Sequence, residues 1–189
     1  MNNLTAERID ADINILLDGF SSNKRHIPSP LTLLRISILI PFISICLSFF
    51  SILLIYLSDK YVEQSFIGYF FYLLSDGWIV ILPTLGIGGF FSLMTYNNLA
   101  MYEAIPKCLR EKSLLINHLK SVTKRTIYFF IALMLLASIL SIYYSRAAFA
   151  IPFLEFAMFF GINVVIGSEV NRLGAGIALE KISNLIKKI

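Results

Sequence analysis

Four apolar stretches, Ile36 to Leu57, Gly77 to Tyr96, Thr126 to Tyr144 and Ala147 to Ser168, decide what this chain can become. Each is free of Lys and Arg, and only the last holds a charged side chain, Glu155. A helix rising about 1.5 Å per residue needs about 20 apolar residues to cross about 30 Å of hydrocarbon, and each stretch has that length. The chain has 189 residues, 57% hydrophobic and 15% charged, with a mean hydropathy of +0.76. That is more apolar surface than a soluble domain of its size can hide, so lipid must solvate the excess. The expected fold class is an all-α membrane protein of four transmembrane helices, with amphipathic cytoplasmic helices at the N-terminus, in the central loop and at the C-terminus.

Orientation follows from the basic residues. Arg8, Lys24, Arg25 and Arg35 precede the first span; Lys107, Arg110, Lys112, Lys120, Lys124 and Arg125 lie between the second and third; Arg172, Lys181, Lys187 and Lys188 follow the fourth. Only Lys60 and Arg146 fall on the other side. The positive-inside rule puts the crowded side, and with it both termini, in the cytoplasm. The formal net charge of +4 is explained by this clustering, and no nucleic-acid partner is expected. The first thirty residues are polar and slightly acidic, so no cleavable signal peptide is expected and the first span serves as the insertion signal. Cys46 and Cys108 fall at different depths and read as free thiols.

These spans divide the chain into a cytoplasmic N-terminal helix and linker (1–35), a first transmembrane hairpin (36–96), a basic cytoplasmic loop (97–125), a second hairpin (126–168) and a C-terminal helix (169–189). Within the first hairpin, residues 66–74 are rich in aromatics, as at a membrane interface, and Asp76 and Gly77 suggest a break after them. A short helix on the outer face is expected. The alternative, a tilted second span extended back to Phe66, would be about 46 Å long.

In lipid the hydrophobic effect does not draw helices together, and small or hydroxylated residues mark the faces that approach closely. Ser37, Pro41, Ser44, Ser48 and Ser51 fall within about 40° of one line along the first span. The second span carries Gly86, Gly88 and Gly89, with Ser92 one turn beyond Gly88. These residues are the expected packing surface of the first hairpin; a pore lined by the serines is the competing reading. Pro41 and Pro83 each remove one backbone hydrogen bond, freeing the carbonyls of Ser37 and Ile79.

Glu155 is the candidate intramembrane polar site. It is expected near the outer end of its span, where it pairs with Arg146 or stays protonated because burial disfavours the charged form. On the cytoplasmic side, residues from Ala6 to Gly19 read as an amphipathic helix with Thr5 as N-cap. Ile9, Ile13, Leu16, Leu17 and Phe20 form one face, and Glu7, Asp10, Asp12 and Asp18 the other. An anchor on an anionic leaflet would be basic, so a basic partner is expected instead. The central loop offers one, with Asp10, Asp12 and Asp18 docking against Lys107, Arg110, Lys112 and Lys120. The tail repeats the pattern loosely with Leu173, Ile177, Ile182, Leu185 and Ile189, after a GAG run, Gly174 to Gly176, that loosens the chain.

Chemistry-bearing motifs are absent from the sequence. His26 and His118 stand alone, and there is no phosphate-cradling loop, metal-ligand spacing or nucleophile motif. Neither enzyme activity, nor a cofactor, nor a metal is expected. What the chain offers is a set of surfaces suited to binding another protein, and a homo-oligomer is open to it.

The layout resembles the TraS entry-exclusion proteins of F-like conjugative plasmids, small polytopic inner-membrane proteins with a short polar N-terminal helix. The local likeness is the turn into the first span, Ile27, Pro28 and Ser29 within HIPSP. The resemblance implies residence in the bacterial inner membrane of a recipient cell, recognition of the donor mating-pair protein TraG, and a block on redundant plasmid transfer. It carries no residue-by-residue site. A colicin-type immunity protein and a small proton-coupled transporter using Glu155 are the alternatives.

Overall fold

The computed structural model describes residues 6–22, 29–59, 64–176 and 180, leaving aside the side chains of residues 6 and 17–22. Among the described residues it is helical throughout, with no strand. The order is α1 (Ala6–Ser22), α2 (Pro30–Ser58), α3 (Phe66–Tyr72), a π-helical turn (Leu73–Gly77), α4 (Trp78–Ala104), α5 (Lys107–Lys112), α6 (Leu114–Leu140), a 3-10 turn (Ser145–Phe149) and α7 (Ala150–Arg172). Four helical stretches are long and apolar enough to cross a membrane: α2, the run from Phe66 to Ala104, α6, and the run from Ser145 to Arg172. Their outward faces are apolar as well, with Phe42, Leu82, Phe129, Leu136, Phe153 and Phe160 all exposed.

The long helices form a ring in which α2 packs on α4 and α6, and α7 closes it by packing on the same two. α2 also touches α7 across the middle, which makes that pair the short diagonal. The beginnings and ends of these helices are set by local chemistry. Pro30 opens α2 at a position whose amide would be unpaired anyway. Pro106 prevents α4 from running on, and Ser65 and Ser113 cap α3 and α6 by accepting the Gly68 and Ile116 amides at 3.0 and 3.1 Å.

α2 and α4 come closest at Pro41 and Gly88. A Cβ on Gly88 would lie 2.9 Å from Pro41 Cβ, so this position admits only glycine without movement. The carbonyl of Ser37, left without its helical partner by Pro41, accepts a hydrogen bond from the Ser92 hydroxyl at 3.2 Å. The kink in one helix is thus satisfied by the other. Gly86 and Gly89 have nothing within 4 Å of a Cβ and are exposed, so only Gly88 of this group serves the contact. Steps of about 100° per residue carry its two companions off the face.

Asp76 and Gly77 do not interrupt the second span. The helix passes through them as a π turn, giving a continuous run of 39 residues. Gly77 keeps right-handed helical angles, φ −66° and ψ −30°, and its lack of a side chain serves instead to accommodate Ile52, 3.2 Å from where a Cβ would stand. The aromatic residues of α3 pack on α2: Tyr69 and Tyr72 each lie 5.6 Å from the buried ring of Tyr56. The Tyr56 hydroxyl also clamps the connection, accepting from the Ser65 amide at 3.0 Å and donating to its carbonyl at 3.1 Å. The stretch 97–125 is largely helical: α4 continues to Ala104, α5 lies within it, and α6 starts at Leu114 and takes in Leu115, Leu119 and Val122.

Gly88→Ala should therefore lower unfolding stability in detergent by about 1–3 kcal/mol through overpacking. Gly86→Ala and Gly89→Ala should leave it unchanged or raise it by up to about 1 kcal/mol through helix propensity. Thermal or denaturant unfolding of the three variants, followed by circular dichroism, separates them.

Candidate functional site

Two places gather polar side chains: the middle of the bundle and the end where α1, α5, the start of α6 and the end of α7 meet. At the first, Ile151, Glu155 and Met158 occupy one face of α7 and all are 0% exposed. That face looks toward the α2–α4 contact, where Glu155 Oε1 lies 3.2 Å from a Cβ position on Gly88. Among the described residues neither carboxyl oxygen has a hydrogen-bond partner. Ser44 is beside it and near enough to act on the carboxyl, while its hydroxyl also lies within reach of the Ile40 carbonyl (3.3 Å) and the Met134 sulfur (3.7 Å). The expectation of an interfacial group paired with Arg146 is not met. Arg146 is exposed in the 3-10 turn, about two and a half turns away along the chain, while Glu155 faces inward.

On the side of Glu155 away from the basic end the bundle interior is lined with hydroxyls. Ser48 and Thr84 share a hydrogen bond of 3.1 Å, and Thr84 also donates to the Val80 carbonyl at 2.8 Å. Ser138 donates to the Met134 carbonyl and Ser141 to that of Ser138, at 3.0 and 2.6 Å. Ser37, Ser44, Ser48 and Ser51 are all buried; the Ser51 hydroxyl alone among them lacks a partner. Toward the basic end, Phe91 and Phe159 stack edge to face with centroids 5.7 Å apart. Beyond them lies a cavity of about 240 Å³ lined from all four long helices, by Ile40 of α2, Phe91, Thr95 and Asn98 of α4, Thr123 of α6, and Phe159 and Asn163 of α7.

At the basic end α1 is docked, though not by the charge pairing expected. Asp12 is buried, and one of its oxygens, Oδ2, accepts both the Ser113 hydroxyl at 2.7 Å and the Leu115 amide at 3.0 Å. Ser113 in turn accepts the Ile116 amide. Two of the four orphan amides at the start of α6 are thereby satisfied, one from Ser113 and one from a residue about a hundred positions earlier in the chain. A carboxylate there also complements the helix dipole. Apolar contacts complete the dock: Ile9 and Ile13 meet Leu115 and Ala175, while Leu16 meets Leu109 and Ile116.

The basic residues are occupied otherwise. Arg110 pairs with Glu103 at 2.6 Å and lies over the Tyr102 ring, and Lys107 stands 3.9 Å from Glu111 within α5. Lys112, Lys120 and Asp10 are exposed, and no ion pair links α1 to them among the described residues. The side chain of Asp18, and Thr5, lie outside the described residues, as do Ile177, Ile182, Leu185 and Ile189. The GAG run is a defined turn, since Gly174 has φ +66°, its amide bonds Asn171 and the next amide bonds Val170. His118, solitary in the sequence, bonds Glu169 at 3.1 Å, and Arg172 reaches the same carboxylate at 2.6 Å, tying α6 to the end of α7. Polar residues at matching depth on two consecutive spans were the available signal for this pairing.

Among the described residues no three His, Cys, Asp or Glu side chains stand together in a way that could hold a metal ion. The arrangement can carry a proton at Glu155 and present a fixed polar surface at the basic end. Comparison with family models, with curated proteins and with solved structures finds no match.

Asp12→Ala should lose a cap worth about 0.5–2 kcal/mol. Its signature would be faster hydrogen exchange at the Leu115 and Ile116 amides and earlier proteolysis within α1, with the long helices unaffected. A disulfide between Ile13→Cys and Leu115→Cys, in a background lacking Cys46 and Cys108, should form in membranes.

Proposed function

We propose that this chain is an entry-exclusion protein of the bacterial inner membrane, crossing it four times with both termini in the cytoplasm. It blocks redundant conjugative transfer by recognising a donor mating-pair protein, TraG by resemblance. Four apolar helices of spanning length and the crowding of basic residues on one side support the topology. The TraS-like layout and the sequence Ile27, Pro28, Ser29 ahead of the first span support the role.

The docked layer at the basic end is the observation that carries the reading beyond resemblance. Discriminating one donor from another requires a surface of fixed shape, and here a polar N-terminal helix is held on α6 by Asp12 and by two apolar clusters. Its outward residues, Glu7, Arg8, Asp10, Asn14 and Ile15, are exposed and uncommitted to the bundle. A transporter working through Glu155 is the second reading, favoured by the burial of that carboxyl.

A mating assay separates the two. Recipients expressing the chain should acquire a matching F-like plasmid at least an order of magnitude less often than empty recipients, and an unmatched plasmid at the normal frequency. Glu155→Gln should leave that exclusion intact, whereas a transporter would lose its activity. Normal acquisition from every F-like donor would refute the exclusion reading.

A further inference from the structure

We infer that Glu155 is a proton-binding site which exchanges with water in the four-helix cavity through a gate made by Phe91 and Phe159. This rests on neither reading of the function. It starts from burial, since a carboxyl that is 0% exposed with both oxygens unpartnered is in the wrong place to be a charge. An ionised carboxylate in a dry interior demands a cation or several donors, and the neutral acid is the form that this site accommodates.

Among the described residues no cation is near enough to change this. From α2 the group is faced by Pro41 and Ser44, from α4 by Gly88, from α6 by Met134, and along its own helix by Ile151 and Met158. None of these titrates. The titratable residues of the same helices stand near their ends or outward, as Arg35 and Cys46 do on α2, Glu103 on α4, Lys124 and Tyr128 on α6, and Glu169 on α7. A metal cation in place of a proton would need several oxygen ligands, and the neighbouring hydroxyls are already committed: Ser44 to a carbonyl, Ser48 to Thr84. One free carboxyl suits a proton.

The route is set by what lies one turn away. Phe159 follows Glu155 by one turn of α7 and Phe91 follows Gly88 by almost one turn of α4, so the ring pair stands between the carboxyl and the cavity. The cavity of about 240 Å³ is largely apolar and opens at the surface, where Asn98 and Asn163 are exposed, and Thr95, Thr123 and Asn163 are the side chains in it that can hold water. When a ring swings aside, the O–H bond of Glu155 breaks with its electron pair left on the carboxylate, and the proton passes to a cavity water; the reverse step restores the acid.

The test uses the purified full chain in phospholipid vesicles and infrared spectroscopy, with no activity required. A neutral carboxylic C=O band should be present and should vanish in Glu155→Gln; if that variant does not fold, glutamate labelled with carboxyl ¹³C should shift the band in the unaltered chain. On transfer to D₂O the band should move as the proton exchanges, on the order of tenfold faster in Phe159→Ala and more slowly in Thr95→Leu, which narrows the cavity. Absence of a neutral band, a band insensitive to the variant and to the glutamate label, or exchange at one rate in all three chains would overturn the assignment.

Discussion

Helices surrounded by lipid tails gain nothing from hiding apolar side chains from one another, so a bundle of this kind depends on places where backbones can approach. The contact of Pro41 with Gly88 is such a place, and the surrounding geometry follows from it. With α2 and α4 held close, Ser92 reaches the carbonyl that Pro41 leaves open, and Ser48 reaches Thr84. The same approach brings α7 against both, which aims Glu155 at Gly88. A larger residue at that position would strain the hairpin and the carboxyl site together.

Polar groups buried in this molecule are managed in three ways. The serines and Thr84 bond backwards to carbonyls of their own helix or to one another, which satisfies them at little cost and lets helices lie close. Asp12 is buried as an acceptor against a helix N-terminus, where amides wait for a partner. Glu155 has neither solution. The Ser51 hydroxyl and Arg110 Nε are also without a partner among the described residues, but Glu155 is the carboxyl so placed, and it marks where the bundle interior is something other than glue.

Much of the architecture was legible in residues alone, because the requirement for about twenty apolar residues per span is blunt. The faces were legible too where one period decided them: Ser37, Ser44, Ser48 and Ser51 share a buried line because they share a helical face. Other features depended on partners far away in the chain. Asp12 looks in sequence like one more acid on a polar face, and only the position of α6 makes it a cap. Gly77 looks like a breaker until Ile52 is beside it, and GIGG looks like a single motif although one glycine of it touches α2. Glu155 read as interfacial since its distance along the span from the outer end is short, while the direction it faces, which distance does not encode, puts it in the core.

The Asp12 cap joins residues 103 positions apart, and that separation has a consequence in time. α1 is made before its seat on α6, which follows two helical runs long and apolar enough to cross a membrane. At about 5–20 residues per second, α1 waits on the order of 5–20 s with Ile9, Ile13 and Leu16 uncovered.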